Sequence, residues 1–401
     1  MQGFELVKDM VVSTPSKIIL LVIDGLGGLP NPETGKTELE SARTPNIDAM
    51  AQTGSCGLTR PVGAGITPGS APGHLGLFGY NPLSYNIGRG VLEALGVDFD
   101  LKPGDVAARG NFCTVDAHGI ISDRRAGRIS TEESTLLCEA LDGCEIDGVQ
   151  IIVRPVKEHR FITVLRGANL DARLADTDPQ RLGTSPLRAM PLAPEAGRTA
   201  AVVNEFLRFG AEKLADCHHA NMFLLRGFSE RPDFPSFGEV YKLKPAAVAG
   251  YPMYRGLARV LGMDVLPTNP GIADEITTLK RCYADYDFFF FHVKGADAAG
   301  EDGDFARKVA VIEEFDRVLP EITALAPDVL VIAGDHSTPA TINGHSWHDV
   351  PCLISSKWCR PDGLAKFGES YCRGGSLGIL PATDLMPLAM AHAQKLTKYG
   401  A

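Results

Sequence analysis

Three short runs of the chain are apolar without alternation and then stop at an acid. They are "KIILLVIDG" (17–25), "DFFFFHVKGAD" (287–297) and "DVLVIAGDH" (328–336), which deliver Asp24, Asp297 and the pair Asp335–His336. A continuous apolar run of this length predicts a strand buried on both faces of a parallel sheet, with the acid at the strand's carboxyl edge. Between the last two runs, "DGDFARKVAVIEEFDRVLPEI" (302–322) repeats its apolar residues at helical spacing, so strand, helix and strand alternate as a βαβ unit. Ligands of such sheets gather at the carboxyl ends of the strands. The middle of the chain has another texture: short strand-like runs ("VQIIVR", "HRFITVL", "NMFLLRG"), one amphipathic stretch ("RTAAVVNEFLRFGAEKLAD") and many arginines. Acid-tipped strands lie on both sides of it. The pattern therefore predicts an α/β core with a central, mostly parallel sheet, made of residues 1–100 and 236–401, and an inserted α+β domain over 101–235.

Composition narrows the chemistry. The 401 residues are 44% hydrophobic and 22% charged, and a formal net charge of -10 is spread in mixed-sign clusters, which leaves no basic track for nucleic acid. A small anionic substrate would need local arginines. Nine scattered cysteines without a C-x-x-C pair argue against both a disulfide framework and a thiolate zinc site. No run approaches about 18 apolar residues, and the first residues lack a basic region followed by a long apolar one. The expectation is a cytoplasmic protein with no membrane partner. Nothing in the pattern sets an oligomeric state.

Asp24, Asp297, Asp335, His336 and His345 are carboxylates and imidazoles at strand ends or in the loops that follow, the donor types that hold paired divalent ions for phosphoryl transfer. Taken singly, a strand-end Asp reads as a turn or cap residue; their recurrence at equivalent strand ends is what points to a shared site. "GITPGSAPGHLGLFGY" (65–80) presents Ser70 in a glycine-rich turn before a helical run. A serine beside a bound cation loses its proton more readily and can attack phosphorus, and a helix amino end adds amide donors for phosphate oxygens. The same segment alone also reads as a turn leading into an N-cap. "PNPETGKT" ends like a Walker A loop but has Pro30 where the first glycine belongs, and "GEDGD" lacks the ligand series of an EF-hand.

Together "IDGLGG", "TELESARTPNIDAMAQTG", "GITPGSAPGHLGLFGYNP", "RGNF", "ISDRRAGR", "HVKGADAAGEDGD", "AGDHSTP" and "GHSWHDVP" resemble the archaeal-type cofactor-independent phosphoglycerate mutases of the alkaline phosphatase superfamily. The resemblance runs over nearly the whole chain with the motifs in the family's order. It implies an alkaline-phosphatase-like core and a phosphoserine at Ser70. Asp24, Ser70, Asp335 and His336 would surround one divalent ion, with Asp297 and His345 at a second. A lysine facing the transferring group matches Lys244 in "YKLKPAAVAGYPMYRGLARVLGM". Arginines of the insertion that grip phosphate and carboxylate correspond to "SDRRAGR" (Asp123, Arg124, Arg128), Arg160 in "EHRF" and Arg226 in "LLRG", with Asn111 in "RGNF" as a further candidate. No 2,3-bisphosphoglycerate is implied.

The chain departs from the family pattern twice. Glu301 stands where many relatives have a histidine four residues after the strand-end aspartate. On a helix it would share a face with Asp297, and an oxygen-richer site favours Mn²⁺ or Mg²⁺ over Zn²⁺ or Co²⁺; the other reading is a solvated loop acid. Ala71 follows the nucleophile where archaeal relatives tend to have Asp. The expected activity is interconversion of 3-phosphoglycerate and 2-phosphoglycerate. Because the core defines the metal chemistry and the insertion the substrate, a related phosphotransferase or phosphohydrolase, including a kinase-like activity on homoserine, is the alternative. A non-catalytic metal-binding relative is a third reading, which the full set of chemical groups opposes.

Overall fold

The computed structural model describes residues 2–85 and 87–400. Its strands in chain order are β1 (Ile18–Ile23), β2 (Ser55–Arg60), β3 (Val106–Val115), β4 (Ile121–Asp123), β5 (Glu145–Ile146), β6 (Val149–Lys157), β7 (Arg160–Arg166), β8 (Met222–Glu230), β9 (Pro245–Val248), β10 (Asp264–Val265), β11 (Phe288–Val293), β12 (Val329–Ala333), β13 (Val350–Ser356) and β14 (Gly378–Pro381). The chain divides into two compact units, Met1–Asn86 with Phe234–Ala401, and Ile87–Asp233.

The first unit is built on an eight-stranded sheet in the order β10-β9-β11-β1-β12-β13-β2-β14. Only β13 runs against the other strands, pairing antiparallel with β12 and β2. The three acid-tipped runs are β1, β11 and β12, side by side and in parallel register, so their carboxyl ends open at one edge. The reason for their unbroken apolar character is plain in the packing. Ile19, Leu21, Ile23, Phe289, Phe291, Leu330 and Ile332 face a layer that includes Ile47, Ile312, Phe315 and Leu319 from the helices Pro45–Thr53 and Phe305–Thr323. On the other face Phe290 meets Phe78 edge-on at 4.9 Å. A strand with helices on both sides has no solvent face to mark with polar residues.

The helix Ser70–Leu77 starts at Ser70 itself. It sits hard against the turn after β12 because residue 73 is glycine: a Cβ there would lie 2.2 Å from the Asp335 carbonyl. Gly25, at φ 67°, turns the chain after Asp24 in the left-handed region, where a side chain would also strike Thr338 Oγ1 at 2.6 Å.

The second unit is an antiparallel sheet in the order β4-β3-β7-β6-β5, with β8 on the other side of β3. One face buries Val106, Ala108, Phe112, Phe161, Phe223 and Leu225 against the helices Gly197–Lys213 and Thr131–Leu141. The alternation then turns Arg109 and Asn111 to the opposite face. That face carries the helix Arg89–Gly96, whose Gly90 approaches the Ala107 carbonyl so closely that a Cβ would lie 2.3 Å from it. Val91 N–H also donates to Ser229 Oγ at 3.2 Å. This helix corrects the expected boundary at 100/101: residues from 87 onward belong with the insertion, since their packing partners are β3 and β8. Among the described residues no helix is long and apolar enough to cross a membrane.

Candidate active site

Asp24, Asp297, Asp335 and His336 are all buried where β1, β11 and β12 end. Asp24 directly follows β1. Asp297 lies in the first turn of the helix Gly295–Glu301 rather than on a strand tip. Their atoms form two tight groups, Asp24–Asp335–His336 and Asp297–His336–His345, each within 4.8 Å.

Hydrogen bonds fix which imidazole nitrogens are free. The Thr338 hydroxyl donates to Asp297 Oδ1 at 2.8 Å and lies 2.9 Å from His336 Nδ1. A hydroxyl has one proton to give, so it accepts from Nδ1–H and leaves a lone pair on His336 Nε2. That nitrogen faces Asp335 Oδ2 at 3.1 Å, Asp24 Oδ1 at 3.4 Å and Ser70 Oγ at 3.3 Å, which assigns His336 to the Asp24 group. His345 likewise gives its Nδ1 proton to the Pro68 carbonyl at 2.9 Å and turns Nε2 toward Asp297 Oδ1 at 3.4 Å. Asp24 Oδ1 and Asp335 Oδ2 are buried without a well-formed hydrogen bond; the nitrogen nearest Asp335 Oδ2 besides His336 is His74 Nδ1 at 3.1 Å, which is already directed at the Ser70 carbonyl at 2.8 Å. Acceptors facing a lone pair in the interior repel one another unless a cation lies among them. The residues present therefore fit divalent cations.

Charge is strongly coupled across the site. Burial alone would raise the Asp297 carboxyl, but His345, Lys294 and His336 hold it down at about 2. Burial opposes the charge on His345, and Asp297 with the Pro68 carbonyl outweighs it, lifting the imidazole to about 9. Burial and the neighbouring Asp24 and Asp335 push the Tyr254 hydroxyl far above its ordinary range.

Lys244 does not lie at the site, contrary to what the resemblance implies. It precedes β9, and because Pro245 is level with Phe288, and Phe288 with Ile18, it stands at the amino edge of the sheet, opposite the acids. It is exposed there, with its ammonium 4.8 Å from the centre of the Tyr286 ring. The lysine at the site is Lys294, from "HVKGAD", which ion-pairs with Asp297 and lies 3.1 Å from Asp24 Oδ2. Burial lowers its pKa, and the two carboxylates more than reverse this. Two more residues escaped the sequence reading. The Tyr254 hydroxyl donates to Asp24 Oδ2, and its ring stacks on His292 at 3.6 Å. His74 lies 3.1 Å from Asp335 Oδ2. Glu301 closes the helix that begins at Gly295, sharing a face with Asp297. It is 57% exposed, its Oε1 3.7 Å from His345 Nε2 and outside both tight groups.

In the second unit, register brings three of the expected residues together. Asn111 is opposite Arg160, and Arg109 is opposite Arg226. Arg109 Nη1 meets Glu93 at 3.0 Å. Burial lowers its pKa to about 10, with Arg89, Arg160 and Arg226 adding to the shift and Glu93 opposing it. Guanidiniums crowded together in this way are chemically suited to bind an anion; Arg109, on the strand, and Arg89, on the helix Arg89–Gly96, are two that the sequence did not single out. Arg124 instead forms a two-pronged pair with the buried Asp178, at 3.1 and 2.7 Å, with Arg226 3.6 Å from the same acid. Asp123 accepts from the backbone N–H of Arg125 and Gly127, both at 2.7 Å. It ties the turn that leaves Arg128 exposed.

The profile of a family described as 2,3-bisphosphoglycerate-independent phosphoglycerate mutase matches residues 51–221. The chain is 49% identical to a Thermus thermophilus protein named "Probable 2,3-bisphosphoglycerate-independent phosphoglycerate mutase", with 100% of each covered. It is 50% identical to a Thermotoga maritima protein of the same name, with 99% of each covered. Among solved structures it is similar to a cofactor-independent phosphoglycerate mutase from Thermoplasma acidophilum, at TM-score 0.71 and 31% identity over 94% of this chain and 100% of that one. A protein from Pyrococcus horikoshii gives TM-score 0.84 at 29% identity, over 96% and 99%.

Arg124 and Arg160 should separate in experiment. Arg124→Ala leaves the buried Asp178 short of its main partner and is expected to cost about 3 kcal/mol, seen as a lower melting temperature. Arg160→Ala should melt near wild type but bind inorganic phosphate at least about tenfold more weakly by calorimetry, the loss of a charge-assisted pair. The reverse pattern would make Arg160 structural and Arg124 the ligand.

Proposed function

The chain belongs to the 2,3-bisphosphoglycerate-independent phosphoglycerate mutase family, and on that footing we propose that it interconverts 3-phosphoglycerate and 2-phosphoglycerate through a phosphoserine at Ser70. The observation that carries the reading is the set of buried carboxylate oxygens without a well-formed hydrogen bond, gathered with Ser70 Oγ about the His336 Nε2 lone pair. Two divalent cations, Mn²⁺ or Mg²⁺ by the oxygen-rich donors, would when bound neutralise phosphoryl charge and ease loss of the serine proton. Asp24, Asp335, His336 and Ser70 would hold one of them, and Asp297 and His345 the other, with Glu301 as an added oxygen donor.

In the forward direction Ser70 Oγ bonds to phosphorus as the bond to the 3-oxygen of the glycerate breaks, and the serine proton ends on that oxygen. The 2-hydroxyl oxygen then bonds to the same phosphorus as the bond from phosphorus to Ser70 Oγ breaks, and the 2-hydroxyl proton ends on Oγ, which restores Ser70. Lys294 and Tyr254 contribute positive charge and a hydroxyl donor beside Asp24. In the second unit Arg160, opposite Asn111, and Arg226, opposite Arg109, are the groups suited to binding the acid, and Lys244 has no part. Nine free cysteines suit a reducing cytoplasm. The homoserine-kinase-like alternative has no observation in its favour.

An enolase-coupled assay with Mn²⁺, 3-phosphoglycerate and no 2,3-bisphosphoglycerate should accumulate 2-phosphoglycerate and not free phosphate. Ser70→Ala should abolish turnover with an unchanged melting temperature, since the hydroxyl is the only covalent carrier. Turnover within about tenfold of wild type would contradict the phosphoserine route.

Glu301→Ala should raise the Mn²⁺ concentration for half-maximal activity by about tenfold, with excess Mn²⁺ restoring the rate. Glu301→His should shift preference toward Zn²⁺ or Co²⁺. A Mn²⁺ titration like that of wild type would leave Glu301 a solvated acid.

A further inference from the structure

Beneath the acids lies a charge that the chemistry above does not use. Lys308, on the helix Phe305–Thr323, has no solvent exposure. Its ammonium donates to the Gly27 carbonyl at 2.8 Å and to the Thr338 carbonyl at 2.9 Å. Gly27 belongs to the loop that carries Asp24, and Thr338 follows Asp335 and His336. The two loops also bond directly, Thr338 N–H to the Gly27 carbonyl at 3.0 Å. Thr338 is the residue whose hydroxyl joins Asp297 to His336. Gly300, on the Asp297 helix, lets the Thr338 carbonyl come so close that a Cβ would lie 2.1 Å from it. The nearest acid is Glu38, buried, 4.0 Å away and already accepting from Ala340 N–H at 2.7 Å.

Burying an ammonium is costly, and an apolar side chain of similar length would fill the space without that cost. What an apolar side chain cannot do is hold two carbonyls from different loops at one fixed point. We propose that Lys308 is a positioning residue that sets the spacing of the two cation sites, by clamping the loop of Asp24 to the loop of His336 and, through Thr338, to Asp297. The inference rests on the reading that these acids hold two divalent cations. It goes further in assigning a role to a side chain that touches neither ion nor substrate. Partners of this kind typically change metal affinity by about 10–100-fold.

The test is direct Mn²⁺ binding, read from the free-ion electron paramagnetic resonance signal, on the whole chain. Wild type should bind two equivalents. Lys308→Met should bind two equivalents about 10–100-fold more weakly. At saturating Mn²⁺ its turnover should recover with the KM for 3-phosphoglycerate unchanged. Leu319→Ala, a core truncation on the same helix, supplies a destabilised control that should bind Mn²⁺ as wild type does. If Lys308→Met does not fold, Lys308→Gln, which keeps an amide donor, should fall between the two. Wild-type affinity in a folded Lys308 variant, or equal weakening in the Leu319 control, overturns the positioning role alone. A wild-type protein that binds no Mn²⁺ overturns the two-cation reading and this inference with it.

Discussion

Three carboxylates, Asp24, Asp297 and Asp335, are buried within a few ångströms of one another, and their mutual repulsion is the constraint that the rest of the first unit has to meet. Like charges in a poorly solvated interior cannot all ionise unless cations offset them. Lys294 and the imidazoles of His345 and His74 supply part of that offset. Asp24 Oδ1 and Asp335 Oδ2 are still without a well-formed hydrogen bond. The arrangement is thus poised to take up positive charge, and an incoming phosphoryl group, itself anionic, becomes acceptable only once that charge is present.

The sheet makes the concentration of charge possible. Parallel strands end together, so β1, β11 and β12 bring their acids to one edge without long connections. Gly25 and Gly73 then remove side-chain bulk where loops and the Ser70 helix press against them. The helix Ser70–Leu77 presents Ser70 at its first turn, where backbone amides point outward. The second unit meets a different electrostatic problem, several guanidiniums on one sheet face. Glu93 and Asp178 pair with Arg109, Arg124 and Arg226 there and offset part of that charge.

How much of this is legible in the sequence depends on what makes each residue visible. Asp24, Asp335 and His336 stand out because a fully buried strand has no polar residue until it ends, so the first acid marks the edge. Lys244 misleads because a lysine before a strand and a lysine after one look alike in a motif, and only strand direction separates them; Lys294, just past the end of β11, had the right position. Tyr254 and His292 sit inside apolar stretches where sequence gives no sign of which face meets an acid. The pairing of Arg124 with Asp178 spans a sequence separation of 54, and a long-range ion pair looks the same as a free ligand arginine until the fold is known. Arg109 differs: strand alternation beside Asn111 would have marked it, since the two residues share a face.

The most direct measurement is anomalous diffraction from crystals of the full chain equilibrated with Mn²⁺. The account predicts two peaks per chain, one bounded by Asp24, Ser70, Asp335 and His336 and one by Asp297 and His345. A single peak, or Mn²⁺ found only on surface acids while Asp24 and Asp335 stay paired with Lys294 and His74, would contradict it.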